Sequence, residues 1–297
     1  MVTKAVWSLW TKPLAFDWGF GWETEKHHLC AWILSFETAR RHFATTSLVT
    51  DQGGADLLVN RLGLQFDEVS TDLDDLGDVN PEWWALGKLH AYARQETPFV
   101  HIDSDVFLWE PLPNELLQAK IFAQNPEIRG QDDPAYRVFD FVWAIRQAGG
   151  WLPKKLDWYH QHHSDQFLVP CCGLFGGTDL APIRDYANLG INMMRASENL
   201  AAWPYLGDQL FVSLIFEQYL LSACLAHGKV SPGSIFCNTE IEYLFSSEAD
   251  AFSKASSIGY THLISGAKRH PQTLAHLEKR VRQDYPKYFE RCVMHKI

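Results

Sequence analysis

Basic charge is in short supply in this chain. Lys and Arg number 26 against 36 Asp and Glu, a formal net charge of -10 over 297 residues. That balance argues against general binding to nucleic acid or to anionic membrane, both of which need a basic surface, while leaving room for a local basic pocket that takes a phosphate. Long apolar runs are also missing. None approaches the roughly 18 to 20 residues that span a bilayer, and the stretch Met1 to Leu9 lacks the apolar core of a secretory signal. Cysteine is sparse: the six, at 30, 171, 172, 224, 237 and 292, form no CxxC pair. This pattern reads as free thiols in a reducing, cytoplasmic compartment and makes zinc a poor expectation. There is no internal repeat, no linker and no long block of one charge sign.

What is present is an ordinary globular composition, 46% apolar and 21% charged, with 12 Trp and 13 His. A chain of this length buries a substantial core. Read in order, Ala5 to Trp10 is a strand candidate stopped at Thr11-Lys12-Pro13. Glu23 to Phe43 carries apolar residues near helical spacing and closes on Arg40, Arg41 and His42, as a surface helix on a sheet would. Thr46 to Thr50 and Phe66 to Ser70 read as strands, with a short helix over Ala55 to Leu62 between them. The acidic loop Asp72-Leu73-Asp74-Asp75 reads as solvated. Pro81 opens a helix running to about Gln95, and Lys88 falls on it. The order so far is βαβαβαβ, the signature of a largely parallel, doubly wound sheet.

The stretch from Pro98 to Trp109 is the centre of the reading. An apolar run of strand length ends in two carboxylates at Asp103 and Asp105, then turns apolar again. In an extended chain that spacing puts both on one side, with Ser104 pointing away. Two hard oxygen ligands at a strand's carboxyl end suit Mg²⁺ or Mn²⁺; an Asp-rich turn after a strand fits the same residues. Further on, Lys120 to Gln124 is a strand candidate and Tyr136 to Ala148 a helix. His160, His162 and His163 are weak as a metal pattern. Phe167 to Phe175 reads as one strand running into Gly176-Gly177, where backbone can come close to a ligand. Leu180 to Ala196 and Asp208 to His227 read as helices, Ile235 to Asn238 and Ile258 to Leu263 as strands, and Pro271 to Arg291 as a C-terminal helix.

Three landmarks stand in a particular order: Lys88 followed by Asp103-Ser104-Asp105; Cys172-Gly173-Leu174-Phe175-Gly176-Gly177 with Gly207-Asp208-Gln209 after it; and His262-Leu263-Ile264-Ser265-Gly266-Ala267-Lys268. Together they resemble the GT-A glycosyltransferases, most closely the retaining, glycogenin- and galactosyltransferase-like branch with its DxD motif and H-x-x-G-x-x-K segment. The chain departs from that pattern at Cys171 and Cys172, and at His270-Pro271 after the lysine. The resemblance implies an α/β, GT-A type fold with a mostly parallel, Rossmann-like central sheet flanked by helices. It implies one domain over 1–270, with 271–297 a helical extension of it. It also implies a metal-dependent glycosyltransferase that moves a sugar from a nucleoside-diphosphate sugar to a sugar, lipid or protein acceptor, with retention of configuration.

By the same resemblance, Asp103, Asp105 and His262 hold Mn²⁺ (or Mg²⁺), and Lys268, beside Gly266, reaches a phosphate oxygen. Asp208 stabilises the oxocarbenium-like centre or touches the acceptor; as the first residue of a helix it is equally an N-cap. Glu217 lies deep in the same pocket or is a plain polar residue on a helix. Lys88 and Ser104 are donor-side candidates, Trp10 and Thr11 candidates for the nucleobase and ribose, and Gly176 and Gly177 for close approach of the sugar. Two other readings remain. In a haloacid-dehalogenase-like phosphohydrolase, Asp103 would be the nucleophile; the third reading is a nucleotide-sugar-binding protein without turnover.

Overall fold

The computed structural model describes residues 1–15, 21–130, 133–163, 165–207 and 212–294, and every structural statement concerns these. The strands are β1 (Lys4–Leu9), β2 (Thr45–Thr50), β3 (Glu68–Ser70), β4 (Phe99–Ile102), β5 (Val106–Leu108), β6 (Ile121–Ala123), β7 (Pro126–Gly130), β8 (Gln166–Pro170), β9 (Leu174–Gly177), β10 (Ile241–Tyr243) and β11 (Tyr260–His262). Seven form the central sheet in the order β10-β6-β9-β4-β1-β2-β3. All its neighbours pair in parallel except around β9, which runs antiparallel to both β4 and β6. The α/β class expected from the sequence is what the structure has.

Side-chain alternation along the strands divides the core into two layers. In β1, Val6 faces one layer while Ala5, Trp7 and Leu9 face the other; in β4, Phe99 opposes Val100 and Ile102. Residues on a strand alternate between faces, so one sheet serves two apolar layers at once. The helices Ala85–Ala93, Val138–Gln147, Leu180–Arg195 and Leu220–Val230 cover the first layer. The second belongs to Glu25–Ala39, whose N-cap Thr24 accepts a hydrogen bond from His27 N. This is not the surface helix that its polar residues suggested. Thirteen of its residues are buried, because Pro271–Asp284 and Pro286–Met294 pack over its outer side with Leu274, Leu277, Val281 and Phe289.

Four further expectations are corrected. The extended course expected through Asp103 and Asp105 is instead a turn between two strands, in which Val106 N donates to Asp103 O at 3.0 Å. The stretch from Phe167 to Phe175 is also two strands: β8 pairs with β7, and β9 belongs to the central sheet. Ile235 to Asn238 is a turn, with Cys237 N bonded to Ser234 O and Asn238 at φ 60°, and the strand falls at β10 instead. The C-terminal helix is interrupted at Tyr285, as expected where the next residue is a proline.

Gly176 and Gly177 have a packing reason of their own. A Cβ on Gly176 would stand 2.0 Å from Phe99 O, and one on Gly177 would stand 2.0 Å from Lys120 O. These glycines let β9 lie against β4 and β6, and neither lines the cleft described below. Gly176→Ala is expected to lower unfolding stability by about 3 kcal/mol, as other overpacked core substitutions do. Urea unfolding of the purified variant checks this.

Candidate functional site

In an open α/β sheet, ligands bind beyond the carboxyl ends of the strands, where the strand order reverses. Here that place lies between β1 and β4. The cleft there has a volume of about 710 Å³, and its lining includes Ser8, Leu9 and Trp10 at the end of β1 and Asp103, Ser104 and Asp105 after β4. The turn after β4 leads directly into β5, which pairs antiparallel with β11, so that Val106 lies opposite His262. Leu263 N donates to Asp105 O at 3.0 Å. That short ladder carries an imidazole across more than 150 positions of sequence to the two carboxylates.

One ligand atom each from Asp103, Asp105 and His262 lies within 4.8 Å of the others, the one group among the described residues clustered tightly enough to hold a metal ion. His262 Nε2 is 3.4 Å from Asp105 Oδ1. That oxygen is buried and has no well-formed hydrogen bond of its own, an orphaned acceptor of the kind a cation satisfies. The other ring nitrogen, Nδ1, is 2.7 Å from Gln124 Oε1, which also accepts from the Tyr260 hydroxyl at 2.6 Å. The ring lies against Gly173, where a Cβ would come within 2.3 Å of His262 Cε1. The glycine required in that landmark by the site is therefore Gly173, rather than Gly176 or Gly177.

Each aspartate has its own lysine. Lys268 Nζ is 2.6 Å from Asp105 Oδ2 and sits 5.7 Å from the centre of the Trp22 ring. Burial opposes charge on Asp105, but the Lys268 ammonium beside it outweighs that and holds the carboxyl far below the usual range. Lys88 lies 2.9 Å from Asp103 Oδ1, donates to Cys172 O at 3.3 Å, and is also paired with Glu217. Burial alone would lower the Lys88 pKa; Asp103 and Glu217 reverse that and keep it well above its ordinary value. Burial, together with the Asp105 and Glu217 carboxylates, pushes Asp103 up to about 6 against the pull of Lys88. Behind Asp103, His101 Nε2 meets Ser8 Oγ at 2.9 Å, and burial holds that imidazole neutral.

Glu217 and Gln218 are consecutive, yet both face the cleft, on a π turn over Ile215–Tyr219. Gln218 accepts from the Tyr136 hydroxyl. Beyond them, Arg129 lies 2.6 Å from Glu127 and 3.9 Å from Asp133. Local sequence gave no sign of this end of the cleft, because its residues come from β7 and the loop after it. His28 and Trp32, from the helix Glu25–Ala39, also line the cleft and were missed.

The remaining candidates divide. Trp10 and Ser104 line the cleft. Thr11 does not: its N and Oγ1 both bond Asp51 Oδ2 at 2.8 Å, tying the end of β1 to the cap of the helix Gln52–Ala55 that follows β2. Gly266 lies on the turn Ser265–Arg269, outside the cleft lining. Asp208 falls outside the described residues. His160, His162 and His163 pack on aromatic rings, chiefly Phe139, Trp158 and Tyr159 respectively. In the acidic loop, Asp72 pairs with Arg94 and Asp74 accepts from Gln52 N, which are structural ties. All six cysteines are free, and among the described residues no helix is long and apolar enough to cross a membrane.

A doubly wound α/β sheet with an acidic, histidine-bearing cleft at its switch point defines the class of protein. The chain belongs to a family of unknown function, DUF6734, whose model matches residues 3–295. No curated protein sequence matches it. Among solved structures it is similar to that of a galactosyltransferase, LgtC, in complex with donor and acceptor sugar analogues. The identity is 10%, covering 99% of this chain and 96% of that one, with a TM-score of 0.40. A likeness that loose defines neither the site nor its chemistry.

His28 gives the site a pH signature. The Trp32 indole N–H donates to His28 Nε2 at 3.0 Å, an arrangement only a lone pair accepts. Burial, with Lys268 nearby, lowers the His28 pKa to about 4. A base depressed in the folded state adds stability above its unfolded pKa of about 6.5 and loses it as pH falls toward the folded value. Unfolding free energy is therefore expected to fall between pH 6.5 and 4, with about 2 kcal/mol of the loss due to His28. Urea titrations at pH 7 and 4.5 should show a smaller drop in His28→Gln.

Proposed function

We propose that this protein is a metal-dependent glycosyltransferase of GT-A type, transferring a sugar from a nucleoside-diphosphate sugar to a hydroxyl-bearing acceptor. The observation that carries the reading is the convergence of Asp103, Asp105 and His262 at the switch-point cleft, with a lysine on each aspartate. A mixed set of two carboxylates and one imidazole suits Mn²⁺, with Mg²⁺ the alternative. Such an ion, when bound, neutralises charge on a diphosphate leaving group.

The chain's own groups supply the rest. Lys268, at the cleft wall, offers its ammonium to a phosphate oxygen, adding a positive charge where negative charge develops. Ser104 and Trp10 stand on the donor side between β1 and β4. Glu217 holds Lys88 against Asp103 and faces the cleft, so it is placed to orient the reacting sugar; Asp208 keeps the role the family pattern gives it. Glu127, Arg129, Tyr136 and Gln218 offer an acceptor several donors and acceptors of hydrogen bonds. Retention of configuration and a cytoplasmic setting belong to the same reading.

The phosphohydrolase reading is disfavoured by electrostatics. It needs the second aspartate as a proton donor, whereas Lys268 keeps Asp105 ionised. Incubating the protein with a panel of nucleotide sugars and Mn²⁺, and following nucleoside diphosphate by mass spectrometry, tests the proposal. Release is expected with one donor class, abolished by chelation, and lowered about 100-fold or more in Asp105→Asn. Turnover of an aryl phosphate without any nucleotide-sugar dependence would select the phosphohydrolase; tight binding without turnover would select the binding protein.

A further inference from the structure

The geometry points to Gln124 as the positioning residue that fixes which nitrogen of His262 faces the aspartates. Gln124 follows β6 and is 2% exposed. Its backbone is pinned on both sides: Gln124 N donates to Cys171 O at 3.1 Å, and Phe245 N donates to Gln124 O at 2.9 Å. Its side-chain oxygen lies 2.7 Å from His262 Nδ1 and 2.6 Å from the Tyr260 hydroxyl. An amide oxygen only accepts, so the ring nitrogen facing it must carry the proton. A neutral imidazole has one proton to place, and with it on Nδ1 the lone pair falls on Nε2, the nitrogen 3.4 Å from Asp105 Oδ1.

Tyr260 has a supporting part. Its hydroxyl donates to the same oxygen at 2.6 Å and so holds the amide with its oxygen toward the imidazole. Gly173, having no side chain, leaves the ring its place, since a Cβ there would stand 2.3 Å from His262 Cε1. Gln124 sits more than 130 positions from the histidine it orients and contributes no ligand atom, so no pattern of metal-binding residue types would mark it.

The consequence for metal affinity rests on the function proposed above; the tautomer does not, and the two are read separately. In the metal-free protein labelled with ¹⁵N-histidine, and assigned with His262→Asn, long-range ¹H–¹⁵N spectra should show the His262 proton on Nδ1. Gln124→Leu, which keeps the bulk and removes the acceptor, should lose that preference. It should also bind Mn²⁺ 10- to 100-fold more weakly by electron paramagnetic resonance titration, the usual cost of a lost outer-shell partner. Gln124→Glu keeps an acceptor and should retain both the Nδ1 proton and Mn²⁺ affinity close to wild type, which separates positioning from mere packing. A proton on Nε2 in the wild-type protein would overturn the assignment, as would Gln124→Leu with tautomer and Mn²⁺ affinity unchanged. If the wild type binds no Mn²⁺ while its tautomer follows Gln124, the functional reading fails and the positioning role stands.

Discussion

The three-residue ladder between β5 and β11 is the contact on which the site depends. Its strands are short, and neither belongs to the central sheet. It exists because the chain leaves the sheet at Asp103, turns, and re-enters an extended course at Val106. A continuous strand would have carried Asp105 onward within the sheet, with no strand available to bring His262 beside it. The break therefore has a structural cause and a functional effect. Carboxylates resist burial in a sheet interior, and the turn that relieves them also frees an edge for the strand that delivers the imidazole.

Around that ladder the protein places an unusual density of buried charge and balances it internally. The Asp103, Asp105 and Glu217 carboxylates are met by the Lys88 and Lys268 ammonium groups, with His101 and His28 kept neutral behind them. A single unpaired charge at this depth would cost several kcal/mol. Pairing lets the fold tolerate a cluster whose net charge is negative and which can therefore take a cation. The helix Glu25–Ala39 contributes support from beneath: the Trp7 indole donates to Ser35 Oγ, and Ser35 donates to the carbonyl of Asp103. The turn that presents the aspartates is thus tied to the middle of the core.

How much of this was legible follows from the range of each interaction. Strands β1, β2 and β4, with helices between them, are encoded in local alternation and helical spacing, and the sequence showed them. Asp103 and Asp105 stood out because two carboxylates interrupting an apolar run are visible one residue at a time. His262 did not stand out by itself; only its place in a family-like order of landmarks tied it to the aspartates, since a pairing across such a distance leaves no local trace. Gln124, His28 and Arg129 were invisible for the same reason. Glycine misled in the opposite direction: Gly176 and Gly177 suggested a ligand, but their absent side chains serve the antiparallel insertion of β9, and Gly173 just before them is the one the imidazole needs. The buried helix Glu25–Ala39 was misjudged because the residues that cover it lie at the far end of the chain.

The central claim is that one cation is gripped jointly by the turn after β4 and the end of β11. Anomalous diffraction at the manganese edge from crystals soaked in Mn²⁺ and a nucleoside diphosphate addresses it directly. The account predicts a single strong peak bonded to Asp103, Asp105 and Nε2 of His262, with Lys268 turned from Asp105 toward phosphate. A peak elsewhere, or none while Lys88 and Lys268 still hold the two aspartates, would contradict it.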